Sequence, residues 1–144
     1  MTRSELEQAI RTGIPLTRAM DFRVLELGPA HIAVRGGGEE NINVHGTAFA
    51  GSLYTLCTLA AWGLANSRLP EQAALVMAEG DIRYRRPVTG EIIARSELAP
   101  AVMERFLAEL ERDGRARMDV PVRVDQDDEP AAVFTGRLHA RLMK

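Results

Sequence analysis

Asn43–Ser67, NVHGTAFAGSLYTLCTLAAWGLANS, carries no charged side chain from Gly46 onward, and the reading of that stretch decides the fold. As a helix rising about 1.5 Å per residue, it is long enough to cross a bilayer core of about 30 Å. Its composition argues otherwise. Gly46, Thr47, Gly51, Ser52, Thr55, Thr58, Gly63, Asn66 and Ser67 are scattered through it, and they bring its transfer energy well below that of a Leu-rich span. The apolar residues lie on all sides, which is the pattern of a helix surrounded by protein. A long helix buried in a soluble domain is expected, with Thr47 or Ser52 as its cap and Asn66-Ser67 as its exit.

The rest of the chain bounds what that domain can do. Its 144 residues, 46% hydrophobic and 26% charged, suit one ordinary globular domain with a sizeable core. A net charge of −2 leaves no global basic field for a phosphate backbone, so nucleic acid is a poor partner. The lone Cys57 excludes an internal disulfide framework, and no Cys/His spacing is that of a metal site. The start of the chain, with Glu5 and Glu7, is not a secretory signal. A reducing cytoplasm fits best.

Outward from the uncharged stretch, the periodicities predict the remaining elements. Ser4 and Glu7 have capping-box spacing ahead of Leu6, Ala9 and Ile10, so a short amphipathic helix is expected at the N-terminus. Phe22 to Leu27 and Ile32 to Val34 flank Gly28-Pro29 and read as a hairpin. Ala73–Tyr84 and Glu91–Leu98, joined through Pro87–Gly90, read as two antiparallel strands. Pro100–Gly114 places Val102, Met103, Phe106, Leu107 and Leu110 on one helical face. Ala116–Val124 and Ala132–Leu142 read as a long terminal hairpin around a solvated acidic turn, Asp125–Pro130. The sum is an α+β domain in which one sheet covers part of a central helix. A dimer would cover the rest.

Two motifs carry a resemblance. Asn41–Tyr54, NINVHGTAFAGSLY, and Asp81–Glu91, DIRYRRPVTGE, resemble the hot-dog thioesterase superfamily, most closely the YiiD-type C-terminal thioesterase domain. The resemblance runs from about Pro15 to the C-terminus. It implies a curved antiparallel sheet wrapped around one long helix, and a homodimer or dimer of dimers with the ligand at the dimer interface. It also implies acyl thioesters of coenzyme A or of acyl carrier protein as substrates. No cofactor is implied beyond the coenzyme A or phosphopantetheine of the substrate itself. In a related branch the helix begins N-x-x-G-x-x-H-G-G, with an aspartate further along. Here Asn43 and Gly46 match, but the histidine position is Phe49, the next glycine is Ala50, and the aspartate position is Thr58. The helix carries no carboxylate, so the general base of that branch is missing from its place.

Thioester hydrolysis needs donors aimed at the carbonyl oxygen and a group that orients or deprotonates water. The amides at Gly51 and Ser52 suit the first task, with Gly46 and Thr47 giving the substrate close approach; the alternative for the glycines is a tight turn and helix packing. Asn43 can polarise the carbonyl, or else organise its loop as an Asx turn. His45 is either the base, a task to which an imidazole is suited, or a solvent-facing loop residue. Ser52 orients water or caps the helix. Thr58 is a substrate contact or a hydroxyl bonded back along its own turn. Phe49 and Tyr54 line an acyl tunnel or belong to the core, where Cys57 and Trp62 are also expected. Arg85 and Arg86, with Arg83, Asp81 and Tyr84, form a basic patch for substrate phosphates or an acidic carrier, or a solvated edge that discourages strand pairing. Three rival functions remain on these residues: acyl-thioester binding without hydrolysis, a hydratase or dehydratase, and a purely structural dimer.

Overall fold

The computed structural model describes residues 1–143. In chain order its elements are α1 (Arg3–Gly13), α2 (Leu16–Ala19), β1 (Arg23–Leu27), β2 (His31–Gly36), α3 (Ala50–Asn66), β3 (Ala73–Tyr84), β4 (Ile92–Glu97), α4 (Pro100–Asp113), β5 (Arg115–Gln126) and β6 (Glu129–Leu142). The six strands form one antiparallel sheet in the order β1-β2-β4-β5-β6-β3. The uncharged stretch is α3, and it packs against β2, β3, β4, β5 and β6. Five strands spaced about 4.8 Å apart reach one helix about 10 Å wide only if the sheet curls around it. Among the described residues, no helix is long and apolar enough to cross a membrane.

Burial explains why α3 lacks charge. Leu53, Leu56, Cys57, Leu59, Ala60, Ala61, Leu64 and Ala65 are all buried, and each leucine so placed contributes about 1.5–3 kcal/mol. Gly63 lets β2 and α1 come close: a Cβ there would already touch Ile32 and Leu6. One stripe departs from this enclosure. Gly51, Thr55, Thr58, Trp62 and Asn66, successive along one helix face, are only partly buried.

Most of the predicted elements form, and the differences have local causes. The capping box of α1 is Thr2 and Glu5, not Ser4 and Glu7: the Glu5 amide donates to Thr2 Oγ1 at 3.1 Å and the Thr2 amide to Glu5 Oε1 at 3.0 Å. Glu7 instead accepts a hydrogen bond from the Val24 amide of β1. Helix α3 has neither predicted cap; its N-cap is Phe49, which offers no side-chain acceptor. The β1–β2 hairpin, α4 with Pro100 at its start and Gly114 at φ 74° beyond its end, and the β5–β6 hairpin are as expected. The last turns through Asp127 and Asp128 at φ 53° and 63°, the positive values a two-residue hairpin turn requires.

The pairing of β3 with β4 is a correction. β3 pairs with β6 along its whole length, while β4 lies between β2 and β5. Pro87 cannot donate to a ladder, and from Arg85 the chain leaves the sheet to run across the start of α3. There the Val88 carbonyl accepts a hydrogen bond from the Ala48 amide at 2.8 Å. Strands adjacent in sequence are thus parted by the loop between them.

Candidate active site at the start of the central helix

The segment ahead of α3 folds back on itself. The Asn43 amide donates to the Thr47 carbonyl at 2.8 Å, and the Phe49 amide to the Asn41 carbonyl at 2.8 Å. Gly46 sits at φ 79° at the tip, a conformation with little cost only for glycine. Asn43 holds this loop from within. Its Oδ1 accepts from the His45 and Thr47 amides at 2.8 and 3.2 Å, and its Nδ2 donates to Thr47 Oγ1 at 3.0 Å and the Ala48 carbonyl at 3.3 Å. Both amide hydrogens are therefore engaged inside the loop. In this arrangement Asn43 is the Asx-type organiser rather than a donor to a carbonyl outside it.

The same loop sets the polar groups at the helix start. The Ser52 amide is taken by the Phe49 carbonyl at 3.0 Å, which corrects its expected role as a free donor. Among the described residues the amides of Ala50 and Gly51 have no partner, and no side chain caps them. His45 is exposed, as is Val44 at the loop tip. Phe49 folds its ring against Gly51, where a Cβ would collide with it.

Further along the helix, the hydroxyl that bonds back along its turn belongs to Thr55, not Thr58: Thr55 Oγ1 donates to the Gly51 carbonyl at 2.9 Å. Thr58 Oγ1 is buried with no partner. Among the described residues only Asn41 Oδ1 shares that condition. A buried hydroxyl without a partner costs about 1–3 kcal/mol, and this one lies two turns from Gly51 on the partly covered stripe.

β3 supplies the facing wall. Tyr84 donates from its hydroxyl to the Ala50 carbonyl at 2.9 Å, and burial of the phenol raises its pKa above the ordinary tyrosine value. Tyr54 lays its hydroxyl over Gly80 and meets Phe134 edge to face, with ring centroids 5.5 Å apart. Gly80 is paired with Gly136 in the ladder, so the sheet has no side chain at either position beneath these groups. Phe49, Tyr54 and Tyr84 are 53%, 36% and 49% exposed. They line an open face of the protomer rather than its core. Cys57 is core, and burial pushes its thiol up to about 12. Trp62 is only partly buried and donates to the Leu75 carbonyl at 3.2 Å.

The structure thus brings Asn43, His45, Gly46, Thr47, Phe49, Gly51, Ser52, Tyr54 and Tyr84 to the start of α3, with Thr58 two turns further along the helix. It does not gather the arginines there as a group. Arg86 pairs with Glu129 at 2.6 Å, giving the acidic turn a partner. Arg83 lies on the outer sheet face opposite Val133. The Arg85 side chain is exposed beyond the end of β3. Sequence reasoning passed over the Ala50 amide, Gly80, Val88 and Asn41. Asn41 is the first asparagine of the N-x-N motif; it is buried and donates to the Met20 and Gly37 carbonyls at 2.9 and 2.7 Å. Its motif position was the available signal.

The fold recurs in solved structures. A protein of unknown function from Chlorobaculum tepidum superposes with a TM-score of 0.87 at 24% identity, over 99% of this chain and 94% of that one. A Pseudomonas aeruginosa protein described as a probable thioesterase gives 0.87 at 22% identity, over 99% and 97%. A putative thioesterase from Shewanella oneidensis gives 0.84 at 29% identity, over 97% and 96%. The curved sheet around α3 is the hot-dog fold. The family model described as "Putative thioesterase (yiiD_Cterm)" matches residues 3–141, and the chain belongs to that family.

Proposed function

We propose that the protein is a homodimeric acyl thioester hydrolase, working in the cytoplasm on acyl groups carried by coenzyme A or by the phosphopantetheine of a carrier protein. The observation that carries this reading is the start of α3: two unpartnered amides at the positive end of a 17-residue helix, with the unpartnered Thr58 hydroxyl on the same face. Donors fixed in this way stabilise an oxyanion without reorganising, and losing one typically costs about 3–4 kcal/mol.

In this mechanism the thioester carbonyl lies against the Ala50 and Gly51 amides. The Thr58 hydroxyl positions the attacking water. Asn43 acts one step removed, by holding the loop that presents the amides and His45. Water attacks the carbonyl carbon, its proton passes to the His45 imidazole, and the tetrahedral oxyanion rests on the amides. Collapse breaks the C–S bond, and the proton moves to the departing sulfur. The products are a carboxylic acid and a free thiol. The substrate's own coenzyme A or phosphopantetheine is the only cofactor needed. The acyl chain runs along Phe49, Tyr54 and Tyr84, with Arg85 and Arg86 at the phosphate end.

Dimerisation is proposed on two observations. β3 is a sheet edge of twelve residues with Val76 60% exposed, and the exposed aromatic side chains and the open helix stripe lie on the same side. Pairing two β3 edges covers all of them and gives the acyl chain a second wall. Two such dimers could associate further.

The test is release of free thiol from a panel of acyl-CoA chain lengths, comparing wild type with Asn43→Ala and His45→Ala. Turnover by wild type and its loss in both variants is the expected result. Full activity in both variants overturns the site, and no turnover of any acyl thioester overturns the enzyme. A second reading has one observation in its favour: α3 carries no carboxylate, with Thr58 where a related branch has aspartate. On that reading the protein binds acyl thioesters without cleaving them, and the same assay would show tight binding with no thiol released.

A further inference from the structure

The outer face of the β5–β6 hairpin bears a block of cations that the reaction does not use. Arg115 lies directly across from Arg141, and Arg117 directly across from His139; all four are exposed. The next row differs. There Arg137 meets Asp119 at 3.1 Å and Glu79 of β3 at 3.3 Å, so the sheet neutralises that row and leaves the two rows on one side of it bare. Arg115, Arg117 and Arg141 take part in no ion pair among the described residues. Asp113 stands near Arg115, but its carboxylate is held by Arg112 at 2.9 Å.

Like charges directly opposite each other destabilise a sheet. The fold has no need of them here, because the core is packed by the alternate residues Ala116, Met118, Leu138 and Ala140. In a chain whose net charge is −2, such a block is a local field of opposite sign to the whole, and it steers an acidic partner to one place.

We propose that Arg115, Arg117, His139 and Arg141 form a docking surface for an acidic carrier-protein domain that delivers the acyl chain. The four side chains spread over two rows of an exposed sheet face, with Arg117 also bordering a cleft against α4 beside Arg105 and Glu109, and the spacing of the rows suits a helix. Residues two apart on a strand are separated by about 7 Å, close to the rise of about 6 Å between carboxylates four apart on a helix. The proposal rests on the dimeric thioesterase reading. Ala74 and Val76 of β3 lie beside Arg141 and His139. Antiparallel pairing of two β3 edges therefore lays the far end of the partner's β3 beside this block, with the partner's candidate site on the opposite, helix-bearing face of the joined sheet.

The experiment compares hydrolysis of one acyl chain carried on coenzyme A and on an acyl carrier protein, by wild type and by Arg115→Glu/Arg141→Glu. Expected is a KM for the carrier-borne substrate raised about tenfold or more, with kcat and the acyl-CoA kinetics unchanged. Wild-type KM for the carrier-borne substrate should also rise between about 50 and about 300 mM salt, while that of the variant stays flat. An unchanged carrier KM, or an equal rise on both substrates, overturns the proposal; the latter would assign the block to the phosphates of coenzyme A. Arg115→Gln/Arg141→Gln gives a smaller shift in the same direction and serves if the charge reversal fails to fold. If no thioester is turned over, the function above fails, but docking is still read by calorimetric titration with the holo carrier protein. Salt-sensitive binding lost in the variant supports the docking surface, and absence of binding overturns it.

Discussion

The two edges of the sheet are finished in opposite ways. β1 is five residues long, irregular between Val24 and Glu26, and closed by α1. Glu7 accepts from the Val24 amide at 2.9 Å, Arg3 donates to the Val24 carbonyl at 2.8 Å, and Arg11 donates to the Phe22 carbonyl at 2.9 Å. β3 is twelve residues long, with apolar Val76 exposed and, among the described residues, no helix laid along its outer side. An open edge of that length invites another strand. Since the chain has the means to close an edge and uses them on β1, the open β3 marks where a second copy is expected.

The sharpest way to break this contrast is Ala78→Pro. Ala78 is the extra residue of the irregularity between Met77 and Glu79 and has no partner on β6, so proline there breaks no register pair of the protomer while it disturbs the open edge. Sedimentation should show a monomer, and thioester turnover should fall about 100-fold or more as the second wall is lost. A fully active monomer would separate catalysis from pairing. Val76→Asp is a second route to the same outcome.

At the closed edge, Glu7→Ala leaves the Val24 amide without its partner. A loss of about 1–3 kcal/mol is expected, seen as a Tm lower by about 2–10 °C, with self-association intact. Between the edges, Thr58→Val removes the orphan hydroxyl at nearly constant volume. Hydrolysis should slow about tenfold while stability holds or rises by up to about 1 kcal/mol. Loss of stability would mean that the hydroxyl supports the fold instead of the reaction. The smallest effect at neutral pH is at Cys57. With its thiol pushed up to about 12, the folded protein should resist alkylation until it is unfolded. The folded state holds this proton more tightly than the unfolded chain does. Stability is therefore full below the ordinary thiol value and declines as pH rises from there toward about 12. Urea midpoints across that range would show it.

What could be read from the letters was local. The enclosure of α3, the β1–β2 and β5–β6 hairpins and the Gly114 stop of α4 follow from periodicity and turn chemistry, which act over a few residues. The neighbour of β3 was not legible, because it depends on β6, which lies far along the chain, and on a loop that crosses the helix start. At the site, the motif located the loop and the helix N-terminus. The division of labour within it did not follow: Asn43 had two possible uses, and only the positions of Thr47 and Ala48 decide between them. Thr55 and Thr58 are the same residue type three positions apart, and their hydroxyls differ only in what lies around them.

The turn at Asp127 and Asp128 bears on the order of assembly. It joins β5 to β6, the longest strand of the sheet, by two residues, so the β5–β6 ladder closes a short loop, whereas β3 must find β6 from the other side of β4 and α4. Short loops close faster than long ones. On this topology the terminal hairpin is expected to form early as a template, with β3 laid onto β6 late. The edge proposed to pair with a second copy would then be among the last parts of the protomer in place, which would couple self-association to the completion of folding.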